Sequence, residues 1–332
     1  MENKIRVLLC GTVFGQIYLK GVLANEDFQL AGILSNGSEQ SRKIAAEYQM
    51  PIYTNVDRIT NQDFDLALVV IRSGIVGGAG NEITQKLLNR QISVVQEQPV
   101  HSEEAVANYK IAMKNNVFYK VNTFYSYLPS SRIFHSKICE LKAKSEIYSI
   151  DGACSLPVLL PFIDQVGRTL GGISPYTLDY EHCFKTDVQD YVCGTIKGVD
   201  FMFRIQSHMN SDSIKKYAYV LNEINVMTGI GNLKLTEVNG QVVWVSKPYV
   251  AEEYLRQECK DEVRNVNGTE LLYDASGKKY SELYHSVWKE AVSNFLAANK
   301  ELILKKKYDV SDMQYYIALC RLWKNISNCI GR

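Results

Sequence analysis

Two side chains that can hold and release a proton, His101 and Tyr125, each follow a stretch of sequence that predicts a β-strand. The β-forming residues of 92–95 precede His101, and residues 117–123 precede Tyr125. Tyrosine has an ordinary pKa of about 10, so it is protonated at neutral pH and can donate a proton to a reacting group. Histidine ionises closer to neutrality and could donate directly or tune the tyrosine. The two residues therefore predict proton transfer near the ends of two strands.

Each of these residues also has a purely structural interpretation. The chain contains 21 tyrosines, and an aromatic ring at position 125 could simply pack a junction between domains. His101 could be a surface residue at the start of the helix that Ser102, Glu103 and Glu104 predict. The sequence alone leaves both interpretations open.

The elements that must position these residues alternate regularly up to about residue 125. The predicted strands are 5–9, 28–34, 52–53, 66–71, 92–95 and 117–123, and the predicted helices are 15–24, 39–48, 81–89 and 103–114. Apolar strands that alternate with helices predict a parallel, doubly wound sheet. A ligand would bind in the crevice outside the carboxyl ends of the strands.

The pattern changes in the remainder of the chain. After a predicted helix at 131–144, long strand-rich stretches are interrupted by turn signals at 198–200, 229–231 and 239–240. Helices at 280–300 and 311–327 follow a charged linker near 257–279. The predicted fold is α/β, with an N-terminal Rossmann domain (1–123) and a C-terminal α+β domain (124–332) built on a large, mostly antiparallel sheet. The helices from about 280 could pack on either domain.

The first predicted strand runs directly into a glycine turn and a helix, where a dinucleotide pyrophosphate would bind to backbone N–H groups. The fingerprint GxGxxG, laid from Gly11, places Val13 and Gln16 where glycines are expected, and an ordinary strand–helix turn would look similar. The candidate pyrophosphate-binding residues are Gly11, Thr12, Val13, Phe14 and Gly15.

The second predicted strand bears on the choice of cofactor. NAD enzymes place an acidic residue there to bind the ribose 2′-hydroxyl, whereas this chain has Ser35, followed by Ser38, Ser41 and Arg42. Hydroxyl groups and a guanidinium can bind a 2′-phosphate, and no carboxylate repels it. The segment predicts NADPH/NADP+ as the cofactor, although a serine-rich loop that only caps the next helix is the alternative.

Composition excludes several other classes of protein. The 37 basic and 36 acidic residues give a net charge of +1, so no nucleic-acid partner is expected. The eight cysteines include no CxxC pair and no zinc-type spacing, which predicts reduced thiols and no metal site. The apolar stretch at the start is too short for a signal peptide, and no run is long enough to span a membrane. A cytoplasmic protein is expected.

Six stretches of the sequence carry a family resemblance. They are VLLCGTVFGQIYL, FQLAGILSNGSEQS, VVIRSGIVGGAG, SVVQEQPVH, VNTFYSYLPSSR and IDQVGRTLGG, within roughly residues 5–175. The chain resembles the glucose–fructose oxidoreductase / inositol dehydrogenase type of NAD(P) enzyme and, within it, the thiazolinyl imine reductases of siderophore assembly lines. The resemblance implies hydride transfer from NADPH to a thiazoline C=N bond, on an intermediate tethered to a carrier protein of a nonribosomal peptide synthetase.

The resemblance also implies roles for particular residues. A tyrosine at the position of Tyr125 is the proposed proton donor of these reductases, with His101 as the second candidate. Arg72 and Ser73, just past the fourth predicted strand, should lie along the cofactor ribose and nicotinamide, and Glu97 is a further candidate for cofactor binding. Gln98 could hold the substrate or the nicotinamide carboxamide by hydrogen bonds. A homodimer is expected by analogy, because an open sheet face would suit one.

Departures from the broader sugar-oxidising family narrow the chemistry. That family has Glu-Lys-Pro where this chain has Glu97, Gln98 and Pro99. Its motif Asp-x-x-x-His-x-x-Asp falls on residues 157–164 and keeps only the final Asp164, because prolines replace the first aspartate and the histidine. Proline carries no proton, so oxidation of an alcohol is not expected. Two alternatives remain: a reductase or dehydrogenase of a free small sugar or cyclic metabolite, and a non-catalytic NADP(H)-binding sensor or scaffold.

Overall fold

The computed structural model describes residues 4–71, 78–207, 218–248 and 268–330. Contacts between Cα atoms divide the chain into two compact units. The first contains Met1–Leu128 and Lys279–Arg321, and the second contains Pro129–Lys278 and Leu322–Arg332. Each unit is built around one β-sheet.

The sheet of the first unit has six strands, all parallel, in the order β3-β2-β1-β4-β5-β6. The strands are β1 (Ile5–Cys10), β2 (Phe28–Leu34), β3 (Ile52–Tyr53), β4 (Leu66–Val69), β5 (Ser93–Glu97) and β6 (Tyr119–Asn122). The central strands β1 and β4 are almost wholly buried, as expected for strands covered on both faces. The predicted doubly wound parallel sheet is confirmed, and its strand order reverses between β1 and β4.

Helices cover this sheet and connect its strands. They are α1 (Gly15–Leu23), α2 (Glu39–Glu47), α3 (Ala79–Asn89) and α4 (Ser102–Asn115). The C-terminal segment of the unit begins with a helical turn (Tyr280–Glu282) and a π-helical turn (Leu283–Val287), which lead into α7 (Trp288–Leu304). Helix α8 (Val310–Cys329) follows, and its residues from Leu322 belong to the second unit. Helix α7 packs closely on α1 at Gly21, where an added Cβ would lie 2.4 Å from the Cβ of Val292.

The second unit contains helices α5 (Pro129–Lys142) and α6 (Leu159–Leu170) and a nine-stranded sheet. Its strands are β7 (Ile147–Ser155), β8 (Tyr176–Leu178), β9 (Phe184–Lys185), β10 (Gln189–Ile196), β11 (Val199–Gln206), β12 (Asn222–Thr228), β13 (Gly231–Leu235), β14 (Val242–Ser246) and β15 (Thr269–Tyr273). The main order is β15-β14-β13-β12-β7-β11-β10-β8, with β9 paired to β10. Only β7 and β11 pair in parallel, so the predicted mostly antiparallel sheet is confirmed.

Two elements of the second unit depart from the sequence prediction. Helix α6 lies in a region that we expected to be strand-rich. Pro161 is tolerated there because it lies in the first turn, where backbone N–H groups have no helical partner. Strand β15 lies within the predicted charged linker and is held by pairing with β14, a long-range contact that local composition does not reveal. None of the helices in the described ranges is long and apolar enough to cross a membrane.

Candidate active site

The turn after β1 has the geometry of a pyrophosphate-binding turn. Gly11 adopts a φ of +92°, and an added Cβ would lie 2.5 Å from the carbonyl oxygen of Val70, so only glycine fits. At Gly15 an added Cβ would make ordinary contacts at 3.5 Å with Leu9, so this position does not require glycine. Helix α1 starts with no acidic residue in its first turn and no side-chain cap, which leaves its N-terminus suited to an anion.

The end of β2 forms a second polar loop beside this turn. The Ser35 hydroxyl accepts a hydrogen bond from the Gly37 N–H at 3.1 Å, and the Arg42 Nε donates to the Gly37 carbonyl at 3.0 Å. Ser38 caps α2 by accepting from the Ser41 N–H. Arg42 and Ser38 are exposed, so both side chains are accessible to a phosphate group.

A chain of hydroxyl groups joins the two loops. The hydroxyl of Ser41 lies 2.8 Å from that of Thr12 and 2.8 Å from that of Ser38. Ser41 is buried, with 1% of its surface exposed, and Thr12 is buried at 7%. Ser41 therefore links the pyrophosphate turn to the serine-rich loop, and its effect on a cofactor would be exerted through Thr12 and Ser38.

The carboxyl ends of β5 and β6 bring a second group of candidates together. Glu97 and Asn122 are directly paired in the sheet, and the Gln98 N–H donates to the Asn122 carbonyl at 3.3 Å. The bond between Gln98 and Pro99 is cis. Glu97 and Gln98 therefore lie at the carboxyl end of β5, after the β-forming residues 92–95.

Glu97 takes part in a hydrogen-bonded chain that the sequence did not reveal. The Tyr18 hydroxyl donates to the Glu97 carboxyl group and accepts from the Asn122 Nδ2 at 2.7 Å. Burial raises the pKa of Glu97 to about 8 and that of Tyr18 well above its usual value. Near neutral pH the carboxyl group is therefore largely protonated.

Asn122 extends this series of hydrogen bonds to the turn that carries Tyr125. Its Oδ1 accepts from the Phe124 N–H at 2.9 Å, and the Tyr125 N–H donates to the Thr123 carbonyl at 2.8 Å. Phe124 has φ +67° and ψ −60°, the values of a γ-turn that residues other than glycine rarely adopt. Tyr125 follows in a 3₁₀ turn with 5% of its surface exposed. This strained turn fixes the backbone position of Tyr125, the candidate proton donor.

Aromatic packing supports the turn from the other side. The ring of Phe124 lies 5.1 Å from that of Trp288 on α7 and 5.6 Å from that of Phe14 in the glycine turn. Phe14 and Trp288 are 6.0 Å apart, and all three pairs are edge-to-face. The segment that carries Tyr125 and the cofactor turn therefore share one aromatic cluster.

His101 lies at the N-cap position of α4 and is partly exposed. The chain before it is anchored by Tyr316 on α8, whose hydroxyl donates to the Val100 carbonyl at 2.9 Å and lies 3.2 Å from the Val100 N–H. His101 and Tyr125 thus follow neighbouring strands at the same edge of the sheet. Arg72 and Ser73 lie outside the described residues.

Three residues of this site escaped sequence reasoning: Tyr18, Asn122 and Tyr316. Of these, only Tyr18 carried a signal, because it lies one helical turn after Gly15 and faces the same way. Within the described ranges, no group of three or more His, Cys, Asp or Glu side chains could hold a metal ion.

Comparison with known families bears directly on this geometry. Residues 5–123 match the sequence model of GFO_IDH_MocA, described as an oxidoreductase family with an NAD-binding Rossmann fold. This segment is similar to the NAD-binding domains of that family. The residues fit such a cofactor, because Gly11 leaves backbone room at the pyrophosphate turn and the N-terminus of α1 is open.

The whole chain shares its fold with several solved structures. The dehydrogenase MviM from Clostridium difficile is 12% identical with a TM-score of 0.70, over 98% of this chain and 99% of that one. An oxidoreductase from Agrobacterium radiobacter, solved with NAD+, L-tartaric acid and magnesium, is 10% identical with a TM-score of 0.72, over 99% and 98%. KijD10 from Actinomadura kijaniata, a 3-ketoreductase solved with TDP-benzene and NADP, is 14% identical with a TM-score of 0.68, over 97% and 96%. No curated protein matches the chain in sequence.

Proposed function

We propose that this chain is an NADPH-dependent reductase that converts a thiazoline C=N bond to a thiazolidine. Its substrate would be an intermediate tethered to a carrier protein of a nonribosomal peptide synthetase. The substrate class rests on the sequence resemblance to thiazolinyl imine reductases. The observation that favours reduction is the edge of β5, where Glu97, with a pKa raised to about 8, precedes Gln98 in place of a lysine. The Glu97 carboxyl group therefore holds a proton near neutral pH. Gln98 offers an amide where the sugar-oxidising family uses the amine of a lysine.

Reduction of an imine requires hydride on carbon and a proton on nitrogen. Bound NADPH supplies the hydride. In our proposal the Tyr125 hydroxyl, or the His101 imidazole, supplies the proton to the ring nitrogen. The series of hydrogen bonds from Glu97 through Tyr18 to Asn122 holds the turn before Tyr125 in place. Gln98 would orient the substrate or the nicotinamide carboxamide by hydrogen bonds.

The preference for NADPH rests on the loop after β2. Its residues offer hydroxyl groups at Ser35 and Ser38 and the guanidinium of Arg42, which suit a 2′-phosphate. The first carboxylate after this loop along the chain, that of Glu39, is paired with Lys43 at 2.7 Å. The loop therefore carries no unpaired acid that would favour the ribose of NAD.

A second candidate is reduction of a ketone on a sugar derivative, which draws support from the fold shared with KijD10. The same proton donors would serve a carbonyl oxygen. Oxidation of a sugar hydroxyl suits the chain less, because Pro157 and Pro161 stand where that chemistry needs an acid and a histidine. A non-catalytic NADP(H) sensor or scaffold is the remaining alternative.

The test is NADPH oxidation by the full-length chain with three acceptors: a carrier-protein-bound aryl thiazoline, the same thiazoline as a small thioester, and nucleotide-linked ketosugars. We expect turnover with the thiazolines, fastest on the carrier protein. Turnover with the ketosugar alone would replace the proposal with the second candidate. Tight NADPH binding without turnover of any acceptor would favour the sensor.

A further inference from the structure

Three cysteine side chains converge at one edge of the second unit. Cys183 precedes β9, Cys193 lies in β10, and Cys329 ends α8. The Cys183 Sγ lies 2.9 Å from the Asp179 carbonyl oxygen, and the Cys193 Sγ lies 4.0 Å from the same oxygen. The thiols of Cys193 and Cys329 both interact electrostatically with that of Cys183. All three are reduced and partly exposed. Such a cluster brings together thiols from three separate segments of chain.

Other contacts hold Cys329 beside Cys183 without help from sulfur. The Lys185 ammonium donates to the carbonyl of Ile330 at 3.0 Å, which ties the residue after Cys329 to strand β9. One turn earlier on α8, the Asn325 amide donates to the Tyr176 hydroxyl on β8 at 2.8 Å. The end of α8 is therefore fixed on the β8–β9 edge.

Register distinguishes the two thiols that neighbour Cys183. Phe184 pairs with Tyr191, and continuing that register beyond β9 would place Cys183 opposite Val192. The same register would direct the Cβ of Cys193 to the other face of the ladder, although its thiol still interacts with that of Cys183. A disulfide requires Cβ atoms that point toward each other at about 3.5–4.5 Å. Cys329 approaches from a separate helix and is free of this constraint.

The charges near the two thiols also distinguish Cys329 from Cys193. The Lys185 ammonium acts to lower the pKa of the Cys329 thiol, whereas the Asp179 carboxylate acts to raise that of Cys193. Burial is nevertheless the larger influence at Cys329 and holds its pKa at about 11. Cys329 is thus protonated at neutral pH, and its attack on another sulfur should quicken as pH rises.

We propose that Cys183 and Cys329 form a reversible oxidation site that closes as a disulfide when the protein meets a peroxide. In the first step a peroxide oxygen oxidises the Cys183 thiol to a sulfenic acid, and the peroxide leaves as water or an alcohol. In the second step the Cys329 thiolate attacks the Cys183 sulfur, the S–O bond breaks, and the leaving hydroxide becomes water by taking up the proton that Cys329 lost. Two electrons pass from the two thiols to the peroxide, and a thiol reductant reverses the reaction. The product joins the end of α8 to the β9 edge.

The experiment treats the full-length chain with hydrogen peroxide and maps crosslinked peptides by mass spectrometry without reduction. We expect a Cys183–Cys329 peptide that dithiothreitol removes and that forms about tenfold faster per pH unit between neutrality and pH 9. Because the link closes a long loop, the oxidised protein should melt roughly 5–10 °C higher. This proposal is independent of the enzyme activity, since neither readout requires turnover.

Matched variants separate the outcomes. Cys183→Ser and Cys329→Ser should each abolish the crosslink, whereas Cys193→Ser and Cys139→Ser, the latter an exposed cysteine on α5, should retain it. Circular dichroism checks that each variant is folded. A Cys183–Cys193 peptide, or oxidation to sulfinic acid without any crosslink, would overturn the assignment. So would zinc binding at one ion per chain that Cys183→Ser abolishes, because the cluster would then be a metal site.

Discussion

The hydroxyl of Tyr18 lies between the Glu97 carboxyl group, to which it donates, and the Asn122 amide, which donates to it at 2.7 Å. Helix α1, strand β5 and strand β6 are thereby joined at the edge where hydride transfer is proposed. Because Asn122 also accepts from the Phe124 N–H, the protonation state of one carboxyl group is connected to the turn that carries Tyr125.

Replacing Glu97 by glutamine should remove a pH dependence from stability. The pKa of Glu97 is raised to about 8 in the folded chain from an ordinary value of 4.5, chiefly by burial. Between these values the folded state retains a proton that the unfolded state has lost, so stability falls as pH rises from 4.5 to about 8. Glu97→Gln should therefore gain melting temperature relative to the wild type as pH rises through this window. Glu103→Gln, at an exposed site on α4, serves as the control; equal pH profiles for the wild type and Glu97→Gln would refute the shift.

Loss of the Arg42 guanidinium should weaken NADPH selectively. A charged hydrogen bond contributes about 1.5–3 kcal/mol, or roughly a tenfold to 150-fold change in binding. Arg42→Ala should raise the NADPH Kd by a factor in that range and leave the NADH Kd unchanged, as measured by fluorescence titration. Gln40→Ala is a close control, because Gln40 is an exposed, uncharged residue on the same helix. A native preference for NADH, or equal losses for both cofactors, would contradict the assignment of the loop.

Removal of one hydroxyl group at Tyr125 should slow the chemical step. General acid catalysis contributes about a hundredfold to ten-thousandfold, so Tyr125→Phe should lower kcat within that range while NADPH binding is retained. The measurement is single-turnover NADPH oxidation by Tyr125→Phe, His101→Ala and the double variant. Tyr127→Phe is the control, since its ring packs 5.1 Å from Phe295 in the same unit.

The pattern among these variants identifies the donor. A large loss in Tyr125→Phe alone assigns the proton to the tyrosine. A moderate loss that deepens in the double variant means that His101 substitutes for it. Wild-type rates in all three would exclude both residues, and the proton would then come from solvent.

His135 should make the protein less stable in mild acid. Its ring lies in the second unit, and burial lowers its pKa to about 4, with the charge of Arg168 acting in the same direction. Between the ordinary value of 6.5 and about 4, the unfolded state binds a proton that the folded state does not. The free energy of unfolding should therefore fall as pH drops through this range, and His135→Phe should flatten that slope. An unchanged slope, with exposed His285→Gln as the comparison, would refute the assignment.

Local pattern was sufficient for most of the parallel sheet, because its strands are short apolar runs bounded by helices with their own periodicity. The β12–β13 hairpin was likewise predictable from Gly229 and Gly231. Pairing between segments that are distant in sequence was not predictable, and β15 depends on its pairing with β14. The β13–β14 connection is a six-residue loop, 236–241, which is longer than the turn that Asn239 and Gly240 indicated. Helix α6 was missed because two prolines obscured its start.

The candidate site also contains some features that the sequence could predict and others that it could not. The turn at Gly11 and the polar character of the serine-rich loop were predictable, because they depend on backbone conformation and residue type near one position. Tyr18, Asn122 and Tyr316 were not, since each acts through a partner far away in sequence, as the 104 positions between Tyr18 and Asn122 illustrate. A hydrogen bond of that kind exists only after the sheet and its covering helices have formed.

The close packing of Gly21 on Val292 also has a consequence for biosynthesis. The ribosome releases helix α1 early, but the helix that covers it, α7, emerges only after most of the chain has been made. During that interval the first unit has a sheet but lacks part of its apolar cover. We therefore expect nascent chains that end near Leu128 to remain sensitive to protease and to depend on chaperones, and the first unit to mature only after α7 has been released.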